Sequence, residues 1–268
     1  MNKKFSIKAL LAALTVMVFS QCSNDNYLED PIADAIGLEV YSNSQVSGSA
    51  TYNGKNISYV SKTTDGNNYK VQIGIGDHLL EATINYGTEQ MLLDGHSAVL
   101  SVDEKNILST AGRDIYEYVN KTEGDVNYAE YSLVRLMEYW SKAPSNFVYS
   151  ARAIGNASAS IQGRLGNEGV TCIRKNTYVY AEYDDSRGTH KDRVRVGSKP
   201  RSGYGCMGRC GGDCGWGAPS AWTKDCMDHD QCSNINFSSG GSGDSNCGDE
   251  FNEAADDWLF GVIRGCRG

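Results

Sequence analysis

The chain has 268 residues, 40% of them hydrophobic and 22% charged, which is enough apolar surface for one large domain or two small ones. This composition excludes a disordered chain and a collagen-like one. The formal net charge of -8 argues against nucleic acid as a partner, because neutralising phosphates requires clustered lysines and arginines, and it disfavours an anionic bilayer as the preferred surface. Nine cysteines are many for a cytosolic protein, and their odd number leaves one thiol to be explained.

The first 22 residues have the pattern of an export signal. A basic start is followed by an apolar run from Ala9 to Phe19, which is too short to span a bilayer. The run leads into Ser20-Gln21-Cys22, which resembles a bacterial lipobox, where the cysteine becomes the lipidated first residue of the mature protein. We therefore expect residues 1–21 to be a lipoprotein signal peptide and Cys22 to carry a lipid anchor. The alternative is an ordinary secretory signal with an incidental cysteine.

An anchor at Cys22 implies a place in the bacterial cell envelope, at the outer membrane or the cell surface. It also leaves eight cysteines, an even number that suits four disulfides in an oxidising compartment. Residues 22–35 are polar and acidic, which is typical of a tether between the lipid and the folded part.

A strand-forming region follows the tether. From Gly37 to about Val99, β-branched and other apolar residues recur in strand-like alternation. Asn53-Gly54 and Asp65-Gly66 are strong hairpin-turn signals within this stretch. The pattern predicts a small antiparallel sheet.

Two helices are predicted after the sheet. Ser101-Val-Asp-Glu104 has the form of a capping box, and apolar residues continue from it at helical spacing as far as Val119. A second helix is predicted from Tyr128 to Trp140. Residues 36–165 thus form a mixed β/α region, whose role the sequence does not indicate.

The rest of the chain, residues 166–268, holds all the cysteines other than Cys22. It begins with a predicted hairpin, in which Thr177–Glu182 and Arg193–Val196 are the strands. A glycine-rich loop with three cysteines spans Tyr204 to Gly215, and two helices are predicted over 221–232 and from about Cys247 to Ile263. This order predicts two helices joined by disulfides.

The first of these helices carries a recognisable motif. Asp225-Cys-Met-Asp-His-Asp-Gln-Cys232 resembles the C-x-x-H-D-x-C signature of secreted phospholipases A2, and the loop that opens Tyr204-Gly-Cys206 resembles their calcium-binding loop. The similarity covers Tyr204 to Arg267. It implies that residues 166–268 are a small disulfide-stapled, two-helix, phospholipase A2-like domain, so the expected fold class is α+β.

The resemblance implies a calcium-dependent hydrolase of phospholipid esters that works at a membrane surface. An imidazole that titrates near neutral pH suits a general base that activates water, and Ca2+ held by carboxylate and backbone oxygens can stabilise an oxyanion. In this resemblance His229 is the base and Asp230 is the calcium carboxylate. The other candidate calcium ligands are the backbone carbonyls of Arg209, Gly211 and Asp213, of which Asp213 also offers a side-chain oxygen.

One departure from the family pattern concerns the carboxylate that orients the catalytic histidine. In the family an aspartate directly follows the cysteine of the last helix, whereas here Gly248 takes that place and Asp249 comes next. In an ideal helix this shift turns the carboxylate by about 100°. We expect Asp249 to orient the histidine through an irregular first turn, with Asp256 and Asp257 as the alternatives.

The resemblance also implies how the eight remaining cysteines pair. The implied disulfides are Cys210–Cys226, Cys232–Cys247, Cys206–Cys266 and Cys172–Cys214. The last two pairs are one of the three arrangements that their four cysteines allow.

The sequence leaves open whether the chain is an enzyme. The first alternative is a non-catalytic, disulfide-rich binding or interaction module on the same scaffold, which the displaced aspartate and the large N-terminal region motivate. A second alternative is a zinc site made of Cys206, Cys210, Cys214 and His229, which the oxidising compartment opposes. No motif identifies a protein partner.

Overall fold

A computed structural model describes residues 31–122, 127–143, 146–155, 169–201, 206–211, 220–238, 241 and 244–267. The predicted signal peptide, the predicted lipid anchor at Cys22, most of the predicted tether, Asp213 and Cys214 lie outside these residues. A short helix, α1 (Pro31–Ile36), begins within the segment predicted to be the tether, and Ile36 at its end is buried.

The described residues form two sheets, and the larger one consists of antiparallel strands that follow one another in chain order. The strands are β1 (Leu38–Tyr41), β2 (Gln45–Tyr52), β3 (Lys55–Thr63), β4 (Asn68–Ile75), β5 (His78–Asn85), β6 (Gln90–Asp94) and β7 (Arg152–Gly155). Each strand pairs with the next one along the chain, so the sheet is a meander with β1 and β7 at its edges. The predicted antiparallel sheet is confirmed.

Both predicted hairpin turns are present. Asn53 and Gly54 join β2 to β3 with φ angles of 51° and 78°, the left-handed conformations that a tight two-residue turn requires. Between β3 and β4, the Asp65 side chain accepts hydrogen bonds from the backbone N–H groups of Asn67 and Asn68, which closes that turn on itself. These turns fix the register of the strands on either side.

Two helices lie between β6 and β7 in the chain, α2 (Val102–Thr122) and α3 (Tyr128–Lys142). Helix α3 packs on one face of the sheet against β2, β3 and β4, and α2 packs along α3. The predicted capping box is formed, since the Ser101 N–H donates to the Glu104 carboxylate at 2.8 Å. Fully buried strand residues alternate along the face that the helices cover. They include Ile57, Val71, Ile73, Ile75, Leu80 and Ile84.

The C-terminal part contains a hairpin and two helices. The hairpin strands are β8 (Tyr178–Asp185) and β9 (Gly188–Arg195), and the helices are α4 (Lys224–Asn236) and α5 (Gly248–Phe260). The strands are longer than predicted, because polar inner residues find partners: the Tyr183 hydroxyl donates to Asp192, for example. Helix α4 starts later than predicted.

The late start of α4 has a backbone cause. Trp222 and Thr223 are engaged in extended pairing: the Trp222 N–H donates to the Cys266 carbonyl at 2.7 Å, and the Thr223 N–H donates to the Gly208 carbonyl at 3.1 Å. Thr223 keeps this extended conformation as the N-cap, and its carbonyl accepts the Met227 N–H, so the helix begins only at Lys224.

The N-terminal sheet with its helices and the C-terminal helices share one hydrophobic core, which α3 and α5 join. The Tyr131 hydroxyl on α3 donates to the Leu259 carbonyl on α5 at 2.7 Å. Residues Ile32–Gly268 form one compact unit, and the α+β class is confirmed. The predicted division at residue 165 stays a prediction. None of the described helices is long and apolar enough to cross a membrane.

Candidate functional site

Helix α4 carries the His-Asp pair of the predicted site. Cys226 and Cys232 lie on its buried side, and their exposed fractions are 4% and 0%. His229 and Asp230 are partly exposed, with 20% and 22% of their side-chain surface accessible. The two cysteines therefore fix the helix from within, while the histidine and the aspartate stay within reach of solvent.

Two of the implied disulfides are confirmed. Cys210–Cys226 ties the glycine-bearing loop to α4, and Cys232–Cys247 ties α4 to the start of α5. The loop and both helices are thus covalently joined around the His-Asp pair.

The other two implied disulfides are wrong, because Cys172 pairs with Cys266. Both cysteines lie beside the segment at Trp222 and Thr223. Cys172 forms an isolated antiparallel β-bridge with Thr223, and the Cys266 carbonyl accepts a hydrogen bond from the Trp222 N–H. This pairing places the two cysteines with their Cα atoms 4.9 Å apart.

The zinc alternative is also wrong, because a cysteine binds zinc only as a free thiolate. Cys210 is bonded to Cys226, and Cys206 is in a disulfide as well. Neither sulfur is therefore available to bind a metal together with His229.

The imidazole of His229 lies between a carboxylate and an aromatic ring. Its Nδ1 atom is 3.6 Å from Oδ1 of Asp230, which is within ion-pair range but longer than an ordinary hydrogen bond. On the α5 side, the ring of Phe251 packs edge-to-face against the imidazole with the ring centroids 5.5 Å apart. Packing from α5 thus contributes to the orientation of the imidazole.

Asp230 joins the helix to the glycine-bearing loop. The backbone N–H of Gly208 donates to Oδ2 of Asp230 at 2.8 Å. Burial raises the pKa of the Asp230 carboxyl group, while His229 and the Gly208 N–H act in the opposite direction. A partly desolvated carboxylate of this kind suits a hard cation such as Ca2+, which would stabilise its charged form.

Gly208 is required for this contact. Its φ is 84°, in the left-handed region that favours glycine. A Cβ atom at this position would lie 2.7 Å from Cδ1 of Ile173 and 2.9 Å from Cε of Met227, so a larger residue would also have to displace the ends of these two side chains.

The neighbouring loop residues face in different directions. Arg209 is paired with Trp222 in a bridge whose hydrogen bonds belong to the flanking residues, so the Arg209 carbonyl faces away from that segment. Gly211 lies against α3, where a Cβ atom would approach Oε1 of Glu138 to 2.8 Å. The structure thus brings Gly208, rather than Gly211, against Asp230. The calcium ligand set of Asp230, Arg209, Gly211 and Asp213 stays a prediction.

Asp249 is exposed in the first turn of α5, and its carboxyl group interacts with that of Glu250. Glu250 is buried, and its Oε1 accepts the Asp184 N–H at 2.6 Å. Burial, with Asp249 beside it, raises the pKa of Glu250 to about 9. The ring of Phe251 on α5 packs against the His229 imidazole, and the orienting role of Asp249 stays a prediction.

The alternative orienting residues, Asp256 and Asp257, lie in a buried acidic cluster with Asp225. One carboxylate oxygen from each residue lies within 4.8 Å of the others, and the Asp225 N–H donates to Oδ2 of Asp257 at 3.2 Å. Asp225 precedes His229 by four residues, so the acidic cluster lies about one helical turn from the imidazole along α4.

Sequence reasoning missed the contribution of α3 to this region. Tyr139 stacks on Phe251, with the ring centroids 5.5 Å apart, and so lies behind the ring that packs on His229. Arg135 donates to the Trp258 carbonyl at 2.7 Å and to the Cys210 carbonyl at 3.4 Å, which ties α3 to α5 and to the loop. The sequence carried no signal for this role, because an arginine and a glutamate three residues apart ordinarily form a solvent-facing pair.

Comparison with known proteins gives one family match. Residues 168–268 match the family model described as "Domain of unknown function (DUF8213)". The search of curated proteins and the search of solved structures each returned no match to the chain. The matched residues contain the β8–β9 hairpin, α4 and α5, which together hold the His-Asp pair and its disulfides.

Proposed function

We propose that the chain is a calcium-dependent hydrolase of phospholipid carboxylic esters, of phospholipase A2 type, held in a bacterial envelope by a lipid anchor at Cys22. The observation that carries the proposal is the hydrogen bond from the Gly208 N–H to Asp230, with His229 beside the same carboxylate. It brings an imidazole, a carboxylate and a glycine-bearing loop together within the segment whose motifs resemble that family.

In this proposal His229 is the general base, which takes a proton from water as the water attacks the ester. Its partial exposure gives water access to the ring, and the edge of Phe251 helps to set the ring orientation. Asp249 is the proposed orienting carboxylate. A positioned general base contributes about 10²–10⁴-fold to such a reaction.

Asp230 is the proposed anchor of the cation, together with the backbone carbonyls of Arg209 and Gly211 and the oxygens of Asp213. Ca2+ would supply the positive charge that stabilises the developing oxyanion. The chain supplies a carboxylate that is held against the loop, and Cys210–Cys226 fixes that loop to the same helix.

A non-catalytic binding module on the same scaffold is the second candidate. It is favoured by the interaction of the Asp249 carboxyl group with that of Glu250, which engages the proposed orienting residue within the first turn of α5. On this view the disulfide framework serves recognition, and His229 is a packed surface residue.

Calcium binding should distinguish Asp230, the proposed calcium ligand, from Asp256, which is not part of the proposed metal site. The apparent calcium affinity is measured by titration calorimetry on the wild type, on Asp230→Asn and on Asp256→Asn. The number of free thiols in each protein before reduction checks that the disulfides have formed. We expect Asp230→Asn to weaken calcium binding at least tenfold, because it removes the charged ligand, and Asp256→Asn to leave it near the wild-type value. The reverse order, or the absence of calcium binding to the wild type, would contradict the proposed metal site.

A further inference from the structure

The outward face of the β8–β9 hairpin is basic and aromatic. Tyr178 and Tyr180 on β8 are 57% and 52% exposed. Tyr178 lies opposite Arg195 and Tyr180 lies opposite Arg193 in the strand register, and all four side chains are exposed. We call these four residues, together with Lys191, the basic-aromatic face.

The rings and the cations of this face are in contact. The guanidinium of Arg193 lies over the ring of Tyr178 at 4.5 Å from the centroid, and the ammonium of Lys191 lies over Tyr180 at 5.2 Å. Lys191 is also paired with Glu182. Among the residues that the structure describes, no carboxylate is paired with Arg193 or Arg195, whose positive charges face outward.

The charge around this face is opposite to that of the whole chain. Residues 169–201 contain eight lysines and arginines against four aspartates and glutamates, a net formal charge of +4 within a chain of -8. The acidic net charge of the whole chain therefore does not disfavour an anionic surface at this segment, because binding depends on the local charge that meets the partner.

The opposite face of the hairpin packs against α4. Asp192 on that face accepts a hydrogen bond from Gln231 on α4 at 2.9 Å, and at the edge of β8 the backbone N–H of Glu182 donates to Asp228 on α4 at the same distance. Gln231 and Asp228 flank His229 and Asp230 in the chain. The hairpin is thus fixed to the helix that carries the His-Asp pair, and its basic-aromatic face is turned outward.

We propose that the basic-aromatic face docks the protein on the headgroups of an anionic phospholipid bilayer. Tyrosine places an apolar ring and a polar hydroxyl at a membrane interface, and arginine binds phosphate oxygens with two parallel hydrogen bonds. The inference rests on the proposed function in one respect, since a phospholipid hydrolase must meet a bilayer surface. The docking itself requires neither calcium nor turnover.

Vesicle binding tests the proposal. The chain from Ser23 to Gly268 retains the whole compact unit and lacks the predicted acylation site. Its cosedimentation is measured with phosphatidylcholine vesicles and with equimolar phosphatidylcholine–phosphatidylglycerol vesicles. Each basic residue near an anionic surface contributes about 1 kcal/mol, or about fivefold in partitioning. We expect Arg193→Gln/Arg195→Gln to lower partitioning to anionic vesicles by roughly 25-fold.

A matched control makes the same change of charge elsewhere. Lys62 and Lys142 are exposed on β3 and α3, and Lys62→Gln/Lys142→Gln should leave partitioning within about twofold of the wild type. Equal binding to the two vesicle types, or equal loss in both double variants, would overturn the proposal. Binding to dextran sulfate without binding to vesicles would also overturn it and would point to a polyanion partner.

His229→Gln separates this proposal from the proposed function. The variant should bind anionic vesicles as the wild type does, because His229 is not part of the basic-aromatic face. If the wild type binds vesicles but releases no fatty acid, docking stands and the hydrolase proposal fails. If it hydrolyses dispersed short-chain phospholipid but does not prefer anionic vesicles, the hydrolase stands and docking fails.

Discussion

Arg135→Met should strongly destabilise the protein, because Arg135 is a buried cation that joins the N-terminal helices to the C-terminal site. Its side chain is 1% exposed, and it is paired with Glu138, which is 2% exposed. The guanidinium also donates to two backbone carbonyls, one on α5 and one in the glycine-bearing loop, and lies over the Trp258 ring at 3.8 Å from the centroid.

The expected size of the effect follows from that burial. Removing one partner of a buried ion pair costs about 3–5 kcal/mol, because the remaining charge stays desolvated. We expect about 4 kcal/mol for Arg135→Met. Removing both charges, in Arg135→Met/Glu138→Leu, should recover most of that loss, since apolar residues of similar volume often replace a buried pair at little net cost.

Urea unfolding with intact disulfides, followed by circular dichroism, measures these differences. With an m value of about 2 kcal/mol/M, Arg135→Met should lower the midpoint by about 2 M. Arg113→Met is the matched control, because Arg113 is 47% exposed beside Asp114 and should shift the midpoint by less than about 0.3 M. A shift of under about 0.5 M for Arg135→Met, or a double variant no more stable than the single one, would refute the reasoning.

Three further changes test other parts of the structure. The pKa of Glu250 is about 9 in the folded state, whereas an ordinary glutamate has a pKa of 4.5. Between these two pH values the folded state holds a proton that the unfolded state has lost. The free energy of unfolding should therefore fall by up to about 1.4 kcal/mol per pH unit as pH rises. Glu250→Gln should flatten that slope in unfolding measured from pH 5 to 9, and parallel slopes would contradict it. Cys172→Ser/Cys266→Ser should cost about 2–4 kcal/mol, because that disulfide closes a loop with a sequence separation of 94, and an unchanged urea midpoint would count against the pairing. Gly208→Ala should lower Tm by roughly 4–8 °C in a thermal scan, since it strains the left-handed backbone and crowds two side chains, and no change would contradict the tight approach.

Most of the local structure could be predicted because its causes are local. The alternation of apolar residues sets the strands of the meander, and Asn53-Gly54 supplies the backbone conformation that the turn between β2 and β3 needs. The capping box at Ser101 and Glu104 fixes the start of α2 in the same way. Each of these features depends on residues that are a few positions apart in the chain.

The errors concern contacts between distant segments. Cys172 meets Cys266 because both lie beside Thr223 and its neighbour, and no spacing in the sequence encodes that arrangement. Helix α4 begins later than its composition suggests for the same reason. An arginine and a glutamate three residues apart, as Arg135 and Glu138 are, ordinarily indicate a solvent-facing pair, so their burial was not apparent either.

The candidate site was predicted in outline. The motif located His229 and Asp230 on one helix, and the loop cysteine that pairs with that helix was correct. The hydrogen bond from Gly208, the ring of Phe251 and the basic face of the hairpin depend on tertiary packing. The net charge of the whole chain also concealed that basic face, because acidic residues elsewhere outweigh it.

The most direct test of the proposed function is calcium-dependent fatty acid release from mixed phospholipid vesicles, followed by pH-stat titration. The wild type should release fatty acid with calcium and none with EDTA. His229→Gln should lower the rate by about 10²–10⁴-fold while keeping the wild-type disulfides and unfolding midpoint. Absence of EDTA-sensitive release by folded wild-type protein, or a His229→Gln rate equal to that of the wild type, would contradict the hydrolase and favour the binding module.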